Sequence, residues 1–139
     1  MTKERLRKYQ TIKKEREQLR QQLEEIETAL YYPKIQRLDD MPKSGQKEGN
    51  PQEDLMIHHI ELQERYGAKL EELAAEQLAI ETAIETLEPT ARLLLRHRYI
   101  EGMAWEDICV KMSYNWRQVH YIHAKALREL RTEEDYGET

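Results

Sequence analysis

The stretch MSYNWRQVHYIHAKALREL, residues 112–130, decides the fold of this chain. Asn115 is a good N-cap, because its side-chain oxygen can accept a hydrogen bond from an unpaired amide of a first helical turn. The apolar spacing that follows turns one helix face inward, at Val119, Ile122, Ala126, Leu127 and Leu130. The outward or flanking positions hold Trp116, Arg117, Gln118, His120, Tyr121 and Lys125. The stretch therefore predicts an amphipathic helix over residues 115–131 with hydrogen-bond donors on its outer side.

A shorter helix is predicted directly before it, over AWEDICVKM, residues 104–112. Ile108 and Met112 stand four residues apart on one face, with Cys109 beside them. The three residues SYN form a turn, so the pattern is that of a helix-turn-helix. Upstream, LEPTARLLLRHRYIEGM, residues 87–103, indicates a helix that is opened by Pro89, is apolar at Leu93, Leu94 and Leu95, and ends near Gly102.

The second helix of such a motif fits the major groove of double-stranded DNA, where its first residues meet the base edges. Arg can pair with guanine and Gln with adenine, and an aromatic side chain can contact the methyl group of thymine. We therefore predict double-stranded DNA as the partner, read by Arg117, Gln118, His120 and Tyr121. The residues predicted to contact phosphate are Arg92, Lys111, Lys125 and Arg128.

The N-terminal half predicts two long helices. Residues 3–31 contain no Gly or Pro and carry a narrow apolar seam, interrupted by Arg16, at Tyr9, Ile12, Leu19, Leu23, Ile26 and Leu30. Residues 52–88 carry a second seam at Leu55, Leu62, Tyr66, Leu70, Leu73, Ile80, Ile84 and Leu87. The stretch between them, residues 31–53, holds three of the four prolines and is interpreted as a loop or linker.

The charges of these two helices favour an antiparallel hairpin. Residues 3–20 carry eight basic and three acidic groups, whereas residues 71–88 carry six glutamates and no base. Only an antiparallel arrangement brings the two stretches together. The same seams could instead close between two chains, and the sequence leaves both possibilities open.

Charge is also uneven along the whole chain, whose formal net charge is -5. Residues 89–131 nevertheless hold eight bases and four acids. The acidic groups are concentrated in residues 52–88 and in the tail TEEDYGET, residues 132–139. A basic module inside an acidic protein meets the requirement of phosphate binding, which depends on local charge.

The segment WEDICVKMSYNWRQVHYIHAKALRELR, residues 105–131, resembles region 4 of bacterial sigma factors, the helix-turn-helix that reads the promoter -35 element. The matching positions are Leu87, Pro89, Arg92, Leu95, Arg98, Tyr99, Gly102, Glu106, Ile108, Asn115, Val119, Ile122, Ala126, Leu127, Leu130 and Arg131. The resemblance places the base- and phosphate-facing residues at Trp116, Arg117, Gln118, His120 and Tyr121. The chain departs from the family at Trp116, usually polar or basic, at His120 and Tyr121, usually longer donors, and at Ser113, usually glycine.

The other sigma regions have no counterpart in this chain. Its layout is similar instead to small phage transcriptional regulators of the ArpU and RinA type. That resemblance implies a phage or prophage regulator with a helical hairpin or oligomerisation region at 1–88, a helix-turn-helix at 89–132 and an acidic tail at 133–139. The alternatives are a DNA-packaging adaptor resembling a small terminase subunit, and a polymerase-binding module without DNA specificity. The oligomeric state separates these functions, because a ring of many subunits favours packaging, whereas a monomer or dimer favours regulation. A dimer is expected here.

The sequence gives little support to other classes of function. It shows no phosphate-binding glycine loop and no nucleophile with a base, so we expect no catalytic site and no enzyme. The histidines lack further ligands at fixed spacing, and no metal or other cofactor is expected. The sequence has a lone cysteine, no apolar run long enough to span a bilayer and no signal-peptide core. Together these features predict a soluble cytoplasmic protein without a membrane partner.

Overall fold

The computed structural model describes residues 1–32 and 50–137, with side chains through residue 131. In these residues all regular elements are helical, which confirms the predicted all-α class. They are α1 (Lys3–Tyr31), α2 (Pro51–Ile84), α3 (Pro89–Leu95), a π-helical turn (Arg96–Ile100), α4 (Trp105–Met112) and α5 (Trp116–Gly137). Most of the predicted loop at 31–53 lies outside the described residues.

The chain divides into two compact units, Met1–Lys13 with Glu72–Thr139, and Lys14–Glu71. In the second unit α1 and α2 run antiparallel, since Glu15 pairs with Lys69 at 3.2 Å and Glu27 pairs with His59 at 3.3 Å. Leu62 of α2 is fully enclosed there. The two long helices therefore pair within one chain over this unit, one of the two arrangements that the sequence left open.

The first unit holds the larger core, which draws on every helix of the described chain. In this unit the start of α1 lies against the end of α2, where Arg5 pairs with Glu76 at 3.5 Å and the Tyr9 hydroxyl donates a hydrogen bond to Gln77 at 3.2 Å. The most deeply buried apolar side chains are Leu6, Ile12, Ile80, Ile84, Leu94, Leu95, Ile108, Val119, Ala126 and Leu130. The module of residues 89–131 is therefore completed by the N-terminal helix.

The three leucines of α3 do not share one environment. Leu94 and Leu95 are fully buried, whereas Leu93 remains 44% exposed. Successive residues of an α-helix point about 100° apart, so three in a row cannot all face the same core. The run of three leucines in the sequence therefore supplies two core residues and one surface residue, Leu93.

α2 ends at Ile84, earlier than the predicted end at residue 88. Glu88 precedes Pro89 and takes an extended ψ of 150°, as the residue before a proline usually must. Leu87 folds back to donate its amide to the carbonyl of Ile84 at 3.0 Å. The Arg92 side chain then donates to the carbonyls of Glu85 and Leu87, both at 3.2 Å, which fixes the connection between α2 and α3.

The π-helical turn is held by the first turns of α1. The Gln10 amide donates to the carbonyls of Tyr99 and Ile100, and the Lys13 ammonium donates to Ile100 at 2.9 Å. Gly102 follows with a φ of +74°, and a Cβ there would lie 2.8 Å from the side-chain oxygen of Gln10. The positive φ favours glycine at this position, and a Cβ would in addition displace the end of the Gln10 side chain.

The turn of the helix-turn-helix has a Schellman geometry. The amide of Ser113 donates to Val110 at 3.2 Å, and that of Tyr114 donates to Cys109 at 3.1 Å. This arrangement places Ser113 in the left-handed region, with a φ of +58°. Ser113 thus adopts a positive φ at the position where the sigma family usually has glycine.

Replacing Ser113 by glycine should therefore raise the free energy of unfolding by about 1 kcal/mol, because glycine adopts left-handed backbone without the steric cost of a Cβ. Urea denaturation followed by circular dichroism measures the change. Gly102→Ala is the matched control and should be destabilising, since its φ is positive and its Cβ space is occupied. A neutral or destabilising Ser113→Gly would contradict the assigned turn.

α5 runs on to Gly137 rather than ending at Arg131 as predicted. Residues 132–136 contain no Gly or Pro to stop the helix, and Gly137 is the first breaker after Arg131. The backbone of most of the predicted acidic tail is therefore helical. Over residues 1–32 and 50–137, no helix combines the length and apolarity of a membrane span.

Candidate nucleic-acid interface

The N-terminus of α5 is closed by a reciprocal capping box. The side-chain oxygen of Asn115 accepts from the Gln118 amide at 2.8 Å, and the side-chain oxygen of Gln118 accepts from the Asn115 amide at 3.0 Å. This confirms the predicted N-cap and adds a partner that was not predicted. The first turn, which carries the candidate base readers, is therefore fixed from both sides.

The outer face of α5 is a polar stripe. Arg117, Tyr121, Ala124 and Arg128 follow the helical spacing i, i+4, i+7 and i+11, and all four are exposed. Tyr121 is 64% exposed, and Lys125 beside it is exposed as well. We call Arg117, Tyr121, Ala124 and Arg128 the outer stripe. The stripe has two cations with a phenol between them. This composition suits a polyanion that carries hydrogen-bonding groups between its negative charges.

Gln118 is exposed, but the capping box occupies its carbonyl oxygen. Reading adenine with both ends of the amide needs that oxygen as an acceptor and the nitrogen as a donor. A glutamine engaged with Asn115 offers only its nitrogen freely. The structure therefore gives Gln118 a structural role that competes with the predicted pairing to adenine.

Four side chains form a continuous stack beside the outer stripe. The ring of Trp116 packs against that of His120 at a tilt of 43°, with centroids 4.2 Å apart, and His120 packs against Trp105 at a tilt of 41° and a centroid distance of 4.4 Å. The guanidinium of Arg98 closes the series 4.5 Å from the Trp105 ring, at the distance of a cation–π contact. We call these four residues the aromatic stack.

The two tryptophans of the aromatic stack differ in exposure. Trp105 is half-buried and packs against the core. Trp116 is 53% exposed although its ring is supported from one side. His120 between them is half-buried, and its Nε2 is enclosed without a hydrogen-bond partner. In this arrangement Nε2 cannot reach a base edge, so the predicted direct contact of His120 is not formed by that atom.

A buried polar pair lies beneath the stack. The Tyr99 hydroxyl donates to Nε2 of His123 at 2.7 Å, and both side chains are almost fully enclosed. Burial lowers the pKa of His123 to about 4, and the positive charges of Lys3, Arg98 and Arg7 and the neighbouring His120 act in the same direction. Burial also raises the pKa of Tyr99. Both groups are therefore neutral at pH 7, as their hydrogen bond requires.

The predicted phosphate contacts separate into two kinds. Lys111, Lys125 and Arg128 are exposed and carry their charge at the surface. Arg92 is half-buried, and its side chain is bound to the carbonyls at the end of α2. The structure therefore supports Arg92 as a brace of the fold, and it places the other three at the surface.

Neither arginine of the π-helical turn pairs with Glu101, the acidic residue nearest to them in the sequence. Arg96 binds Glu81 of α2 at 2.7 Å, and Arg98 donates to the Met103 carbonyl at 2.9 Å. Glu101 instead binds His97 at 2.8 Å, and this hydrogen bond holds the pKa of Glu101 below its usual value. These cations have partners within the fold and are poor candidates for phosphate.

Comparison with known proteins gives no match to a family model, to a curated protein or to a solved structure. Within the described residues, no three His, Cys, Asp or Glu side chains lie together as a metal site would need.

Two functional features were absent from the sequence interpretation. The support of Trp116 by His120 could have been found, because residues four apart on a helix are neighbours. The contact between Tyr99 and His123 spans 24 positions of sequence and has no local signature. It follows from the packing of the π-helical turn against α5.

Proposed function

We propose that this chain is a sequence-specific DNA-binding transcriptional regulator, of the phage or prophage type, with a helix-turn-helix of sigma region 4 character. The observation that carries the proposal is the outer stripe on a rigidly capped α5. Arg117 and Tyr121 stand in its first two turns, where recognition helices meet base edges. A second observation supports it, since α4 is short and joined to α5 by a three-residue turn.

In the proposed mode, α5 lies in the major groove and Arg117 reads guanine through two hydrogen bonds. Lys111, Lys125 and Arg128 bind phosphates and set the position of the helix on the duplex. Trp116 and Tyr121 add contact area at the base edges. The moderate charge of residues 89–131 gives weak non-specific attraction, so useful affinity is proposed to come from a dimer on paired half-sites.

The test is a selection for bound DNA, using the full chain near physiological salt and both a random duplex library and fragments of the source genome. Enrichment of a motif upstream of a gene cluster supports a regulator. Enrichment at one packaging-type locus, together with a ring of many subunits, would replace it by the DNA-packaging adaptor. No enrichment from either library would reject sequence-specific binding and direct attention to RNA polymerase as the partner.

A further inference from the structure

Trp116 is an unusual residue to find at the start of an exposed helix. Its ring is 53% exposed, and it stands at the first position of α5, next to Arg117. Leaving a large apolar surface in water is unfavourable, by an amount that grows with the exposed apolar area. The contact of the ring with His120 leaves this apolar area exposed.

The stack holds Trp116 outward by contacts on its inner side. His120 supports the ring at 4.2 Å between centroids, and Trp105 supports His120 at 4.4 Å. The cost of the arrangement is visible at His120, whose Nε2 is buried without a partner. A purely structural stack would gain from an apolar ring at this position, because an unpaired buried nitrogen is destabilising.

We propose that Trp116 is a specificity-determining residue that reads the methyl group of thymine, and that His120 is the positioning residue which aims it. The inference rests on the proposed function and names the base chemistry which that site selects. A methyl group on the floor of the major groove distinguishes thymine from cytosine and is recognised by apolar contact. Trp116 presents a fixed apolar edge at the end of α5 that meets the bases.

Charge and geometry favour DNA over a protein as the occupant. The neighbouring exposed side chains on α5 include Arg117, Lys125 and Arg128, which are suited to a polyanion. Gln118, the other candidate base reader on the first turn, has its carbonyl oxygen occupied by the cap. Among the first three residues of α5, Trp116 and Arg117 are therefore the side chains that no hydrogen bond of the cap engages.

The test uses the preferred duplex obtained from the selection, in which each thymine is replaced in turn by deoxyuridine. This replacement removes one methyl group and leaves every hydrogen-bonding group of the base unchanged. The full chain should bind at least one such duplex about fourfold more weakly, which is the affinity that burial of one methyl group contributes. Fluorescence anisotropy titrations at fixed salt measure each dissociation constant.

Trp116→Ala should abolish this thymine-to-uracil ratio, and Tyr121→Ala is the matched control that should retain it. His120→Ala should reduce the ratio, whereas His120→Phe should restore it, because a phenyl ring supports Trp116 without an unpaired nitrogen. A merely structural role of His120 would alter affinity for all duplexes equally and leave the ratio unchanged. Circular dichroism verifies that each variant is folded.

Two results overturn the inference while the proposed function stands. The first is a preferred site at which every thymine can be replaced without effect. The second is a sensitive thymine whose ratio is unchanged in Trp116→Ala, which would assign the methyl contact to another side chain. Failure to find any preferred site rejects the proposed function itself, and the inference with it.

Discussion

Replacing Arg117 by alanine is expected to weaken binding to the preferred DNA site by about 5- to 150-fold, the loss that corresponds to about 1–3 kcal/mol for a bidentate pair with guanine. Arg117 is exposed on the outer stripe, and the capping box fixes the backbone from which it projects. The expected loss is confined to the position that Arg117 reads. Binding to unrelated DNA should change little, and all four bases should become nearly equivalent at that position.

Lys125→Ala is the matched control for this measurement, because Lys125 is an exposed cation of the same helix that is assigned to phosphate. It should weaken binding to all sequences alike and reduce the steepness of the salt dependence by about one unit. Arg117→Lys should resemble Arg117→Ala on the preferred site, since an ammonium cannot form the two parallel hydrogen bonds of a guanidinium. Equal weakening on preferred and unrelated DNA by Arg117→Ala would assign that residue to phosphate and remove it from base recognition.

The second large effect is a loss of stability in mild acid that depends on His123. Its folded-state pKa of about 4 lies below the value of about 6.5 for an exposed histidine. As the pH falls below 6.5 the unfolded chain binds a proton at this side chain, whereas the folded chain does not until pH 4. The free energy of unfolding should therefore decrease across this window, by no more than about 1.4 kcal/mol per pH unit.

Urea denaturation at a series of pH values between 7 and 5 measures this slope. The lower limit avoids the titration of Glu101, whose own lowered pKa places its effect at more acidic pH. His123→Gln should flatten the slope, because an amide can accept from the Tyr99 hydroxyl but does not titrate. Tyr99→Phe loses the same hydrogen bond yet should retain the slope, since burial of the imidazole persists. A His123→Gln protein as acid-sensitive as the original would contradict the assignment.

The sequence predicted the helices well where the signal is local. α1 spans Lys3–Tyr31 as predicted, and Asn115 caps α5 as its side chain and position indicated. α2 was predicted to run to residue 88 because the apolar spacing continues to Leu87. Leu87 is indeed buried, but it reaches the core from a turn beyond Ile84. Periodicity reports which residues are buried, and it does not report the backbone that carries them.

The sequence predicted which residues form the candidate site, but it predicted only part of their arrangement. The exposure of Arg117 and Tyr121 follows from helical spacing alone. The enclosure of His120 does not, because it depends on Trp105 from another helix. Gln118 and Arg92 were predicted as ligands of DNA by their chemistry, and the structure gives them partners within the protein. A polar side chain in a sequence shows what it can bind, and tertiary contacts decide what it does bind.

The support of the π-helical turn by α1 has a consequence for the order in which the protein is made. Gln10 binds the carbonyls of Tyr99 and Ile100, so these partners are separated by 89 and 90 positions of sequence. On a translating ribosome, α1 is synthesised seconds before the segment that it must hold, at about 5–20 residues per second. The apolar side chains of Leu6, Tyr9 and Ile12 therefore lack their partners in the early nascent chain. The core of the first unit can close only after α3, α4 and α5 have emerged.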